Sequence, residues 1–134
     1  MKTVFWKKVQ GAVDAIDRLR ASGIAFRFVT NTTKESKRAL HSRLSSLGFH
    51  INLEEIFTSM TAARKILEAK KWRPWLIVAD EAMEDFEGIP QDNPNAVVVG
   101  LAPDKLNYAN INLAFDMVLN RGAHLMAIHK SRCA

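Results

Sequence analysis

A chain of 134 residues that is 48% apolar and 25% charged has the make-up of one ordinary globular domain, or of two small ones, and lies far from the composition of disordered chains. Its net charge of +5 raises nucleic acid as a partner; the basic residues, however, gather as Lys2, Lys7 and Lys8, as Lys34, Lys37, Arg38 and Arg43, and as Lys70, Lys71 and Arg73, which read as solvated helix faces and ends without base-stacking aromatics between them. No apolar run is long enough to cross a bilayer, residues 1–8 lack the pattern of a secretory leader, and the single Cys133 cannot form an internal disulfide, so the expected setting is the reducing cytoplasm, with no membrane and no nucleic acid as partner.

Helical spacing starts the chain. Residues 10–22 place Val13, Ile16 and Leu19 on one face with Asp14, Asp17, Arg18 and Arg20 opposite, and Gly23 supplies the stop. Residues 24–30 are β-branched and aromatic and read as a strand. A second helix is expected over 34–47, with Leu40, Leu44 and Leu47 at helical spacing and Gly48 as its end. Residues 52–58 are ambiguous. A third helix over 60–70 has Ala63, Ile66 and Leu67 as its expected buried stripe.

After a turn at Arg73 and Pro74, residues 75–79 form a buried strand, and Asp80 is the expected cap of a short helix ending near Gly88. Residues 96–100 make another continuous apolar strand, of the kind buried on both faces of a parallel sheet. A helix over 107–119 is expected to bury Ile111, Phe115, Val118 and Leu119, and residues 124–128 give a final strand. Strands alternating with helices at this spacing predict an α/β fold with a mostly parallel sheet.

In such sheets ligands bind beyond the carboxyl ends of the strands, where loops run into helix N-termini. The first strand runs into Thr30-Asn31-Thr32-Thr33-Lys34-Glu35-Ser36, a crowd of hydroxyl and amide groups ahead of a helix whose free N–H groups suit an anion such as phosphate. Ordinary N-capping explains the same residues. The four histidines show no metal-ligand spacing with one another or with Cys133. Asp80, Glu81, Glu84 and Asp85 read as capping and solvation of a short helix, and Trp72 and Trp75 as packing anchors around a turn.

Val29-Thr30-Asn31-Thr32-Thr33 after an apolar strand resembles the second signature motif of the haloacid dehalogenase-like phosphatases. Further segments agree in order: Gly11-Ala12 opening a helix that ends Arg18-Leu19-Arg20, Glu55-Ile56-Phe57-Thr58-Ser59 leading into Thr61-Ala62-Ala63, Asn95 through Pro103, and Ala127-Ile128-His129-Lys130. The resemblance implies a partial Rossmann-like core over 1–70 and most of an inserted α/β lid over 71–134. It implies that Thr30 donates its hydroxyl to a phosphoryl group and that Asn31 helps hold it. It further implies magnesium-dependent hydrolysis of a phosphorylated small molecule or phospho-amino acid through an aspartyl-phosphate.

The nucleophile of that family is an Asp before the first helix, and here no acidic residue precedes Asp14, which lies inside the helix beside Asp17. The acidic metal motif expected after the lid is also absent. Lys130, after the last strand, reads as a lid residue, either facing substrate or exposed at the strand end. The expectation is a chain without the catalytic nucleophile or metal ligands, binding no magnesium itself and inactive alone. The alternative is a non-catalytic module that associates through its lid, as a homo-oligomer or with a full-length relative.

Overall fold

The computed structural model describes residues 8–129, so the first seven residues and Lys130 to Ala134, Lys130 and Cys133 among them, lie outside the described part. Five strands and four α-helices make up the described chain, alternating except that only a 3-10 turn separates the third and fourth strands, and every strand pairing is parallel. Two sheets result, one of β1 (Phe28–Thr30) and β2 (Ile56–Thr58), the other in the order β3 (Pro74–Ile77), β4 (Ala96–Val99), β5 (His124–Ala127).

Helix α1 (Ala12–Ala21) buries no residue, contrary to the expected stripe, and Leu19 is 38% exposed. What holds it is polar: Arg20 forks onto both carboxylate oxygens of Glu55 at 2.6 and 2.7 Å, donates to the His50 carbonyl at 2.8 Å, and lies over the Phe26 ring. Strand β1 is shorter than residues 24–30 because its partner is short; the register pairs only Phe28, Val29 and Thr30, with Ile56, Phe57 and Thr58. Residues 52–58, ambiguous in sequence, divide into a 3-10 turn (Leu53–Glu55) and β2.

Helix α2 (Lys37–Ser46) links the two strands and buries Leu40 against Ile51 and Ile56, with Phe28, Leu44 and Phe49 packed alongside. Gly48 ends that connection at φ 88°, a left-handed conformation open to glycine without strain.

Helix α3 (Ser59–Lys70) follows β2, yet it packs on the other sheet. Met60, Ala63 and Leu67 form one cluster with Leu76, Val78, Val98, Ala82, Phe86 and Ile89. Helix α3 thus shares its buried stripe with the three-stranded sheet. Ile66, expected inside, is 45% exposed, and Met60 takes its place in the stripe. Fully burying one such side chain contributes about 1.5–3 kcal/mol, so the Met60, Leu67 and Phe86 contacts dominate this layer.

The opposite face of the three-stranded sheet carries α4 (Tyr108–Leu119), with Met117 buried against Ile77, Val97, Ala102 and Ala123. Ile111, Phe115 and Leu119 are exposed, against expectation, and only Val118 of the expected set packs at the cluster's margin. Apolar residues surround this helix, so sequence spacing did not single out the face that docks. The 3-10 turn Asp80–Phe86 has Ala79, not Asp80, at its N-cap position; Asp80 is exposed and pairs with Lys105 Nζ at 2.6 Å. Trp72 stacks on His124 with ring centres 4.2 Å apart, an anchoring role of the kind its sequence context suggested.

Candidate functional site

The carboxyl ends of β1, β2 and β5 meet at one cleft of about 290 Å³. Val29, Thr30 and Asn31 form one side, Phe57, Thr58 and Ser59 another, and Met126, Ala127 and Ile128 the third; Ala62, Ala63 and Ile66 of α3 complete it. A larger hollow of about 620 Å³ lies at the opposite, entry end of β1, lined by Arg20, Ile24, Arg27, Glu54 and Glu55 among others. It is more open, and its Arg20 and Glu55 already satisfy each other. The carboxyl-end cleft is the better site, because parallel sheets gather loop polar groups there.

Thr30 ends its strand half-buried, and its Oγ accepts from the Thr32 N–H at 3.3 Å. An accepting hydroxyl keeps its own hydrogen, so Thr30 retains a donor for an incoming anion. Asn31 beside it is exposed. Ser59 Oγ donates to the Thr32 carbonyl at 3.0 Å, which ties the loop after β1 to the start of α3. Thr58 is buried and its hydroxyl is committed to capping α3, accepting from the Thr61 N–H at 3.0 Å. The signal for these two residues was present in Phe57-Thr58-Ser59, but the sequence reading assigned them no site role.

Of the two readings of residues 30–36, N-capping describes the start of α2: Ser36 caps the helix, and the Lys37 N–H donates to both oxygens of Asp85 at 3.0 and 3.1 Å. The helix end that borders the cleft is instead that of α3, through Ser59. Asp80 and Glu81 are exposed, as solvated residues, while Glu84 and Asp85 cap a neighbouring helix rather than their own turn.

Asp14 is exposed on α1 and Asp17 faces His50 at 3.4 Å, so neither reaches the cleft. Among the described residues no carboxylate lines the cleft, and no group of three or more His, Cys, Asp or Glu is placed to hold a metal ion. Magnesium takes hard oxygen ligands, carboxylates first, so the described lining does not fit it. Lys130 lies outside the described residues. Just before it, the ring Nδ1 of His129 is shielded and has no hydrogen-bond partner among the described residues.

Charge at the margins is set by pairing. The Arg20 guanidinium, with help from the Asn52 N–H, holds the Glu55 carboxyl down to about 2. Asn120 and Arg121 hold Asp116 below the usual carboxylate range. Burial pushes Asp85 above it, more than the Lys37 N–H pulls it back.

Comparison with known proteins gives a consistent result. The profile of a family described as haloacid dehalogenase-like hydrolase matches residues 4–89. The haloacid dehalogenase-like hydrolase domain-containing protein 2 of Bos taurus is 55% identical over 124 residues, 92% of this chain and 48% of that protein. The phospholysine phosphohistidine inorganic pyrophosphate phosphatase of Homo sapiens is 35% identical over 111 residues, 83% of this chain and 41% of its own. The chain therefore spans about half the length of the curated relatives it matches. Among solved structures, a p-nitrophenyl phosphatase from Archaeoglobus fulgidus superposes with a TM-score of 0.81 at 23% identity, over 92% of this chain and 49% of that one. NagD from E. coli K-12 gives 0.78 at 20% identity, over 92% and 50%. At these identities the superpositions speak for the fold alone.

Proposed function

Because the chain belongs to the haloacid dehalogenase-like hydrolase family, we propose that its cleft receives the phosphoryl group of a phosphorylated small molecule or phospho-amino acid. In this reading the Thr30 hydroxyl donates to a phosphoryl oxygen, Asn31 adds a second polar contact, and Met126 to Ile128 face the rest of the ligand from above. The observation that carries it is the convergence of Thr30 and Asn31 with the end of β5 in one cleft. Residues 8–58 act as the core piece, and the unit that begins with α3 acts as the lid, because α3 packs with that sheet. The reading keeps the cytoplasmic setting inferred from the single Cys133.

By itself the chain binds without turning over. Hydrolysis through an aspartyl-phosphate needs a carboxylate against the phosphorus, and the described residues of the cleft offer none. Positioning and charge stabilisation supply most of the rate in phosphoryl transfer, so a threonine and an asparagine alone contribute little. Titration of the chain with inorganic phosphate, followed by amide NMR, tests the reading: the Thr30, Asn31 and Ser59 signals move if it is right and stay still if it is wrong.

A second reading rests on α4, whose outer face presents Tyr108, Ile111, Phe115 and Leu119, the last two 65% and 64% exposed. Spacings of three and four residues put them on one stripe, and Asp116, the single charged residue of the helix, is engaged by Arg121. Such a face associates with another copy, as exposed apolar patches do. Light scattering after size exclusion reads the dimer, and Phe115→Glu returns it to monomer; a monomer at all concentrations counts against association.

A further inference from the structure

The loop after β1 carries Thr30 and Asn31 into α2, and it is gripped from both sides by the three-stranded unit. At its far end Ser36, 1% exposed, is the N-cap of α2. Its Oγ accepts from the Ala39 N–H at 3.0 Å and donates to Glu84 Oε2 at 2.8 Å. The Lys37 N–H donates to the Asp85 carboxylate, and Arg38 Nε pairs with Glu84 Oε1 at 2.8 Å. Glu84 and Asp85 stand 48 residues away, in the 3-10 turn that follows β3. That turn is fastened in its own unit: Phe86 and Ala82 are buried in the α3 cluster, and Arg64 of α3 donates from Nη1 to the carbonyls of Asp85 and Glu87, each at 2.9 Å. At the near end of the loop, Ser59 of α3 holds the Thr32 carbonyl.

The chemistry of this contact is specific. The first turn of a helix has free N–H donors and the positive end of its dipole, and two carboxylates from a distant turn complement both. We propose that the Glu84–Asp85 turn is a clamp that fixes the three-stranded unit onto α2 and thereby sets the position of Thr30 and Asn31 opposite Met126 to Ile128. Glu84 and Asp85 are positioning residues; neither lines the cleft. Burial raises the Asp85 carboxyl and the Lys37 N–H pulls it back, so that bond offsets part of the cost of placing the carboxylate here. The clamp is independent of the ligand, so it stands or falls apart from the phosphate reading.

Two measurements on the full chain test it. Amide exchange by NMR reads the Lys37 N–H directly. In Asp85→Ala that amide exchanges at least about tenfold faster, because its acceptor is gone, while the amides of Leu67 and Val98 keep their wild-type protection. The second readout is a distance across the two units: spin labels at positions 45 and 112, both exposed, in a chain with Cys133 replaced by serine. The parent chain gives one narrow distance distribution, and Asp85→Ala broadens it. Should Asp85→Ala not fold, Glu84→Gln, which keeps the shape and removes the charge that holds Arg38, is read by the same distance and is expected to broaden it less. Unchanged Lys37 exchange in a folded Asp85→Ala chain, or a distribution as narrow as the parent's in the variant that folds, would overturn the clamp.

Discussion

Gly100 is where core packing and the cleft touch, and enlarging it gives a calculable result. Its N–H donates to the Ile77 carbonyl at 2.8 Å, which holds the residue tightly at the end of β4. A Cβ there would stand 3.2 Å from Val78 Cγ1, 3.4 Å from Ile128 Cδ1 and 3.7 Å from Met60 Cε. The first distance is inside normal contact, and Val78, fully buried and β-branched, cannot swing away. For Gly100→Ala the overpacking costs about 1 kcal/mol, at the low end of the usual range, and the lost freedom of the unfolded chain returns about 0.5. The net loss of about 0.5 kcal/mol lowers Tm by about 2 °C in a chain of this size. Gly100→Val adds two carbons against the same three side chains, raising the overpacking cost to about 3 kcal/mol, the net loss to about 2.5 kcal/mol and the Tm loss to about 10 °C. Because Ile128 also lines the cleft, the Val variant pushes that side chain toward the ligand space and weakens phosphate binding as well. Thermal unfolding followed by circular dichroism decides it: equal Tm values for the three chains, or a Val variant more stable than the Ala variant, would show that this junction is not close-packed.

Two further outcomes concern charge and the site. Thr30→Val keeps the shape of the side chain and removes its donor; a hydrogen bond to a charged group is worth about 1.5–3 kcal/mol, so calorimetric affinity for inorganic phosphate falls about ten- to a hundredfold with Tm nearly unchanged. For Glu55, whose folded value of about 2 lies below its ordinary 4.5, the stabilising contribution is complete above 4.5 and is lost as pH falls through about 2. Since α1 has no buried residue, its amides lose protection over that window while those of α3 do not, and in Glu55→Gln the α1 amides exchange fast at every pH; a Glu55→Gln chain with the parent's acid profile would contradict this. Asp85, raised by burial, contributes with the opposite sign, its charging being increasingly unfavourable as pH rises, which is why the readout is taken locally on α1.

Element type and order were legible because each strand is a short apolar run closed by a turn and most helices carry one apolar stripe. Boundaries moved where pairing decided them: residues 24–27 have strand composition but find no paired strand among the described residues beyond the Phe28–Ile56 pair. Faces were misjudged where a helix is apolar all round, as α4 is, or where a helix changes partners, as α3 does in leaving β2 for the second sheet. Strand-end position and motif pointed to Thr30 and Asn31, and both line the cleft. The third wall of the cleft was not, since Met126 to Ile128 lie nearly a hundred residues away and only the fold brings them there. Nor could spacing reveal that Asp85 would reach the α2 N-terminus before any phosphate.

The central claim is that the cleft at the ends of β1, β2 and β5 is the phosphate site, and an inorganic phosphate titration followed residue by residue in amide NMR tests it most directly. The account predicts saturable shifts at Thr30, Asn31, Ser59 and Met126 to Ile128, largely abolished by Thr30→Val. Shifts confined to Arg20, Arg27 and their neighbours at the entry end of β1, or shifts that survive Thr30→Val undiminished, would contradict it.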